Sequence, residues 1–257
     1  MNATKSENPV KTLVILLNMG GPQNKDEVHP YLKELFQDRE ILKLPFQKVL
    51  GRYCASRRTP KIQERYEEIV PYSPTKRIMD DQSAEIAQKL EQIHPQSAPH
   101  VCVSGFRYCS PRTSEMIEQY NSAEKIILFS QYPQHSCSTS GSSFCDAYRW
   151  LDKQKDEVYR DRISVIDQWW DRSDYTELWA MLVKRKFDEM KSSTGLKDKD
   201  IRIIYSAHSL PESYCTEKGD KYNEEIRGSF ERIEKVLQSL GLEHEGALAW
   251  QSKVGPQ

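Results

Sequence analysis

Short apolar runs recur along the chain, separated by longer polar stretches of helical period. The runs at residues 13–17, 101–106, 125–129, 163–166, 201–205 and 247–250 are aliphatic or β-branched and too short for helices. That pattern predicts strands buried in a parallel sheet. Between them, residues 27–36 place Val28, Tyr31, Leu32, Leu35 and Phe36 on one helical face. Residues 61–69 carry Ile62, Tyr66 and Ile69, and residues 83–93 carry Ile86, Ala87, Leu90 and Ile93. Residues 174–190 and 223–240 are longer amphipathic stretches. Strand and helix in alternation predict a doubly wound, mostly parallel α/β architecture. A boundary falls after the fourth strand, near Trp169 and Trp170. The two strands beyond it predict a thin second domain.

The composition fits this picture. A chain of 257 residues is long enough for two domains. Mean hydropathy is −0.74, so apolar residues are concentrated in the runs. The net charge of −1 supplies no field to recruit nucleic acid. No apolar stretch approaches the roughly 18 residues a membrane span needs. The first ten residues are polar, with neither an apolar signal core nor the arginines of a mitochondrial presequence. The six cysteines form no C-x-x-C pair, so reduced thiols are expected.

Candidate chemistry gathers at the strand ends, where open α/β sheets bind ligands. The first strand ends in Asn18-Met19-Gly20-Gly21-Pro22, the second in Arg107-Tyr108, and the third in residues 131–135. The fifth ends in Ser206-Ala207-His208-Ser209. Six such ends on one edge predict a cleft suited to a flat, largely apolar ligand with anionic substituents. His208 reads either as a proton carrier or metal ligand, or as a strand-end residue held by ordinary hydrogen bonds. Gly20 and Gly21 read as a tight turn or as a place of close ligand approach. They are not a dinucleotide fingerprint, and Pro22 removes an amide a phosphate would use. The hydroxyl-rich residues 138–143 read as an anion site or as a helix cap.

Several segments then match one family. They are L-N-M-G-G-P (17–22), R-R-T-P-K-I-Q (57–63), S-A-P-H (97–100), G-F-R-Y (105–108) and S-Q-Y-P-Q (130–134). S-C-S-T-S-G-S-S (136–143), I-D-Q-W (166–169), S-A-H-S-L-P (206–211) and W-Q-S-K-V-G-P (250–256) complete the set. In these segments the chain resembles the ferrochelatases of animals and fungi, which insert ferrous iron into protoporphyrin IX to make haem. The resemblance implies a chelatase-like fold of two doubly wound, Rossmann-like parallel-sheet domains. Residues 1–10 would be a tail, 11–170 the first domain with a membrane-facing lip at 31–56, and 171–257 an incomplete second domain.

The resemblance further implies that Arg58, Tyr66 and Ser73 contact the porphyrin and that Met19, Arg107 and Tyr108 line its pocket. His208 would bind iron or take pyrrole protons. Protoporphyrin IX or haem and ferrous iron are the implied partners. A homodimer on the matrix face of the inner mitochondrial membrane is implied too, with a cytoplasmic location as the alternative. Charged residues within 31–56 weaken the implied lip, so peripheral membrane contact and a helical pair packed on its own domain both stand.

Three departures accompany the match. The family's glycine-rich turn is replaced by Val70-Pro71-Tyr72-Ser73-Pro74, and Arg172 stands where the family carries a histidine. The family's C-terminal acidic segment has no counterpart before Gln257. Cys137 matches one of four ligands of a [2Fe–2S] cluster, and one thiolate cannot hold it, so no cofactor is expected. An inactive relative that binds porphyrin or haem, or acts as a partner subunit, is therefore the alternative to a working chelatase.

Overall fold

Strand β1 (Thr12–Asn18) is the axis of the first unit, and its Leu13, Ile15, Leu16 and Leu17 are wholly buried. Successive strand residues face opposite sides. Leu13, Ile15 and Leu17 pack with Ile117, Ile126, Leu128 and Phe144 on one face, while Val14 and Leu16 pack with Met79 and Phe106 on the other. Burial on both faces is why the run is apolar throughout. Cutting Ile15 to alanine would cost about 2–5 kcal/mol.

The structure is a computed structural model and describes residues 10–68, 72–154 and 157–252. Residues 1–9 of the tail, Ile69 of the expected helix at 61–69, Val70 and Pro71 of the altered turn, and residues 253–256 of the last motif lie outside the described residues. The chain divides into two compact units. One runs to Tyr132 and resumes over Cys137–Asp167; the other takes Pro133–Ser136 and Gln168 onward. The four-residue stretch Pro133–Ser136 thus groups with the second unit, although its sequence position suggests the first.

In the first unit β2 (His100–Phe106), β1, β3 (Lys125–Ser130) and β4 (Ile163–Ile166) lie side by side in that order, all parallel. Helices α1 (Val28–Gln37), α2 (Gln47–Glu68) and α3 (Thr75–Ile93) fill the crossover from β1 to β2. α4 (Thr113–Gln119) lies between β2 and β3, and α5 (Ser142–Gln154) and α6 (Glu157–Arg162) between β3 and β4. The expected helix at 61–69 is the end of the much longer α2, which runs through Pro60. An interior proline costs about 3 kcal/mol. Packing of Ala55 against Val28, Leu32 and Phe36 of α1 offsets that cost.

In the second unit β5 (Arg202–His208) and β6 (Glu245–Gln251) form a separate parallel pair, His208 opposite Gln251. α7 (Ser173–Thr194), α8 (Glu212–Lys218) and α9 (Tyr222–Ser239) complete it. Ala180 and Phe187 of α7 pack with Ile201, Ile233 and Leu237. The expectation of six strand ends on one sheet edge is therefore corrected: four strands share one sheet and two form another.

The segment 31–56 packs most of its apolar residues within the first unit. Leu32 and Phe36 are buried, with Tyr31, Leu35 and Leu42 packed around them. Only Phe46, Val49 and Tyr53 stand out, at 84%, 70% and 61% exposure.

Candidate functional site

The sheet of the first unit changes direction at β1, whose chain neighbour β2 lies on one side and β3 on the other. Ligands bind at the carboxyl edge of such a switch point. There the backbone of the first strand end receives two bonds from the second. Arg107 N–H donates to Asn18 O at 2.9 Å, and Tyr108 N–H to Met19 O at 3.1 Å. The third strand end joins them, because Met19 N–H donates to the Tyr132 hydroxyl at 2.9 Å.

The glycines after β1 serve this knitting. Gly20 has φ +82°, and a Cβ there would lie 2.3 Å from Cys109 Sγ. A Cβ on Gly21 would lie 2.3 Å from Ser73 Oγ. Both glycines make room for the protein's own side chains, so the turn reading holds and the close approach is by the chain itself. Ser73 is fixed by its N–H to Pro22 O at 3.0 Å, and its hydroxyl donates to Thr75 Oγ1 at 3.0 Å. Met19 and Ser73 are thus brought to one turn.

A tyrosine cluster adjoins them. Tyr66 stacks on Tyr72 with centroids 5.5 Å apart, and Tyr31 meets Tyr108 edge-on at 6.1 Å. Burial pushes the Tyr31 phenol up, with the neighbouring Tyr66 and Tyr132 adding to the shift. Burial likewise raises Tyr132 to about 12, against a backbone hydrogen bond from Met19. These phenols stay protonated at neutral pH and can donate hydrogen bonds. Tyr31 belongs to this cluster without having been singled out as a site residue, and Tyr132 comes from the strand end at residues 131–135. The Tyr31 signal was masked by its place on an ordinary helix stripe.

Arg58 lies on a neighbouring surface. Its guanidinium sits 5.4 Å from the Phe36 ring centre. Cys54, Arg57, Arg58, Lys61, Ile62 and Arg65 recur at helical spacing on α2 and, with Tyr53, line an open cavity of about 670 Å³. The groove is cationic and of a size that holds ligands.

Arg107 and Tyr108 were expected to line a pocket. Both are buried, and their polar atoms meet the protein. Arg107 Nη2 donates to Asp38 Oδ2 at 2.8 Å, Nε to Ser142 Oγ at 3.0 Å and Nη1 to Asp146 Oδ1 at 3.3 Å. Tyr108 and Ser142 hydroxyls also donate to Asp38 Oδ2, at 2.9 and 2.6 Å. Asp38, an unremarkable acid after the last apolar residue of α1, is the hub that sequence reading missed. Burial would push its carboxyl up. The bonds from Ser142 and the Glu40 N–H, the Arg107 charge and the Tyr108 hydroxyl outweigh that and hold it below the ordinary value.

The serine-rich segment, expected to bind an anion or cap a helix, is largely buried. Cys137–Gly141 forms a π-helical turn, and Ser138, Ser140, Ser142 and Ser143 are buried. Ser140 and Ser130 hydroxyls meet at 2.9 Å, while Ser142 serves Asp38. Cys137 opens this turn, partly exposed.

In the second unit His208 ends β5 and is exposed. Its Nδ1 lies 2.8 Å from Ser209 O. A carbonyl only accepts, so Nδ1 carries a proton, and in the neutral ring Nε2 then holds the lone pair. That nitrogen can take a proton or bind a metal. Arg172 just precedes α7, and its guanidinium holds both oxygens of Asp174, at 3.0 and 2.9 Å. It is exposed and paired locally.

A model of the ferrochelatase family matches residues 11–257. The chain is 40% identical over 248 residues to "Ferrochelatase, mitochondrial" of Gallus gallus, covering 96% of this chain and 60% of that protein. It is 39% identical to the Drosophila melanogaster protein of the same name, covering 96% and 62%. For the Homo sapiens protein of that name the figures are 38%, 96% and 57%. The chain therefore spans about 60% of the length of the curated relatives it matches.

Proposed function

The chain belongs to the ferrochelatase family, and from that premise we propose that it serves haem synthesis by inserting ferrous iron into protoporphyrin IX. The observation that carries this reading is the family match across residues 11–257. The chemistry of the residues agrees with it. A porphyrin is a broad apolar disc, which suits Met19 and the walls of Tyr31, Tyr66 and Tyr132. Its propionates suit the Arg58 guanidinium and the Ser73 hydroxyl. Metallation removes two pyrrole protons as iron enters, so a base active near neutrality is needed. We assign the base to His208, whose Nδ1–H is engaged on Ser209 O and whose Nε2 meets no hydrogen-bond partner among the described residues. Arg107 and Tyr108 take a supporting role, since their polar atoms are engaged by Asp38 and Ser142.

The relatives named above are mitochondrial ferrochelatases, and we place this chain in the same compartment, as a homodimer. Exposed Phe46, Val49 and Tyr53 beside the cationic face of α2 suit peripheral contact with an anionic membrane. No described helix is long and apolar enough to cross a membrane. Cys137 is one thiolate where a [2Fe–2S] cluster takes four, so we assign no cluster to these residues.

The test is an anaerobic assay of the purified chain with ferrous iron and protoporphyrin IX, followed by absorbance. Metalloporphyrin formation that disappears in His208→Ala supports the reading. Porphyrin binding without turnover in the wild-type chain would favour a non-catalytic relative.

A further inference from the structure

We infer that Asp38 is the positioning residue that sets Arg58 for a ligand carboxylate, an inference that rests on the porphyrin reading above. Asp38 closes α1, and its carboxylate reaches three other parts of the first unit. Oδ2 accepts from Arg107 and Tyr108 at the end of β2 and from Ser142 at the start of α5. Oδ1 accepts the Glu40 N–H at 2.9 Å, and the Asp38 carbonyl accepts from Ile41 and Leu42. The α1–α2 connector thus begins from a fixed point on the sheet.

Phe36, two residues earlier, passes that fixed point to Arg58. The Phe36 carbonyl accepts Gln47 Nε2 at 2.9 Å, and α2 approaches so closely at Gly51 that a Cβ there would lie 2.7 Å from the same oxygen. The Phe36 ring carries the Arg58 guanidinium at 5.4 Å. Arg58 is exposed and has a long, flexible stem, so without this seat it would sample many rotamers. A preset guanidinium binds a carboxylate with less ordering cost. Asp38 itself is buried and does not touch the ligand. It acts through the end of α1.

The inference is tested with Asp38→Asn in the full chain. The substitution keeps the shape but turns one acceptor oxygen into an NH2 donor and removes the charge that holds Arg107. Binding is read by quenching of tryptophan fluorescence with two probes, protoporphyrin IX and its dimethyl ester, which has no free carboxylate. Asp38→Asn should weaken protoporphyrin IX binding about tenfold and leave the ester within about twofold. Arg58→Ala should do the same, and the double variant should be no weaker than Arg58→Ala alone. Equal loss for both probes would mark a merely structural role and overturn the inference, as would unchanged binding of protoporphyrin IX. If Asp38→Asn does not fold, Ser142→Ala removes a single donor to the same oxygen, and the same selective loss is expected. A wild-type chain that binds neither probe overturns the porphyrin reading and this inference together. Normal wild-type binding with an unselective variant overturns this inference alone.

Discussion

Arg107 Nη2 lies 2.8 Å from Asp38 Oδ2, and the two side chains are only 9% and 2% exposed. They join the end of a strand to the end of a helix 69 positions away in sequence. Removing one member of such a pair leaves the other charge buried, which costs about 3–5 kcal/mol. Arg107→Met should therefore lower the unfolding free energy by about that amount in urea titrations. Adding Asp38→Asn to it should recover part of the loss, because the orphaned charge is gone. A loss below about 1 kcal/mol in the single variant would mean that water reaches the pair.

Acid should act on the same carboxylate. The Asp38 carboxyl is held below its ordinary value of 3.8. A depressed folded pKa contributes stability that is fully present above the unfolded value and lost as pH falls through the folded one. The stability gap between the wild-type chain and Asp38→Asn should be flat well above the ordinary carboxyl value and shrink as pH falls through and below it. Urea midpoints at several pH values would show it. A gap that widened on acidification would contradict the assignment.

The strands and their class were legible because burial on both faces leaves a continuous apolar signature, as at Leu13 to Leu17. His208 was placed at a strand end by the same signal, and β5 ends there. Much of the site's support was not legible. Asp38, Arg107 and Ser142 meet through tertiary packing, and no local spacing records an ion pair that spans helix and strand. α2 was cut short because Pro60 is a local breaker, while the packing of Ala55 that overrides it is non-local. α5 opens with buried serines, and its apolar stripe of Phe144, Ala147 and Leu151 was hidden behind them.

Gly20 separates two costs that usually come together. Its φ of +82° penalises any side chain, and a Cβ would also meet Cys109 Sγ at 2.3 Å. Gly20→Ala should lose both, and a second change, Cys109→Ala, should relieve the clash. About 1–2 kcal/mol should remain from the left-handed backbone. Thermal melts of the two variants distinguish these parts. Equal melting of the single and double variants would show that the clash is absorbed elsewhere.

Phe46 and Val49 are exposed at 84% and 70%, which is unusual for side chains that gain about 1.5–3 kcal/mol on full burial. If they enter a bilayer surface, Phe46→Asp with Val49→Asp should reduce co-sedimentation with vesicles containing anionic lipid by at least tenfold. Folding should be unaffected, since neither side chain is buried. Raising salt should weaken the wild-type chain's binding through Arg57, Arg58 and Lys61. Vesicle binding unchanged by the double substitution would remove this surface from consideration.

His208 combines exposure with a fixed tautomer, and that combination separates chemistry from folding. Its side chain fills no core, so His208→Ala should change stability by no more than about 0.5 kcal/mol. Porphyrin binding should also persist, because the residues assigned to the macrocycle and its propionates lie in the first unit. Metallation should fall by about 10²–10⁴-fold, the usual worth of a positioned base. Ser209→Ala should leave activity intact, since Nδ1–H donates to the Ser209 backbone carbonyl and not to its hydroxyl. Anaerobic turnover of both variants, read beside their melting curves, gives the result. Full activity in His208→Ala would move the proton-accepting role to another group.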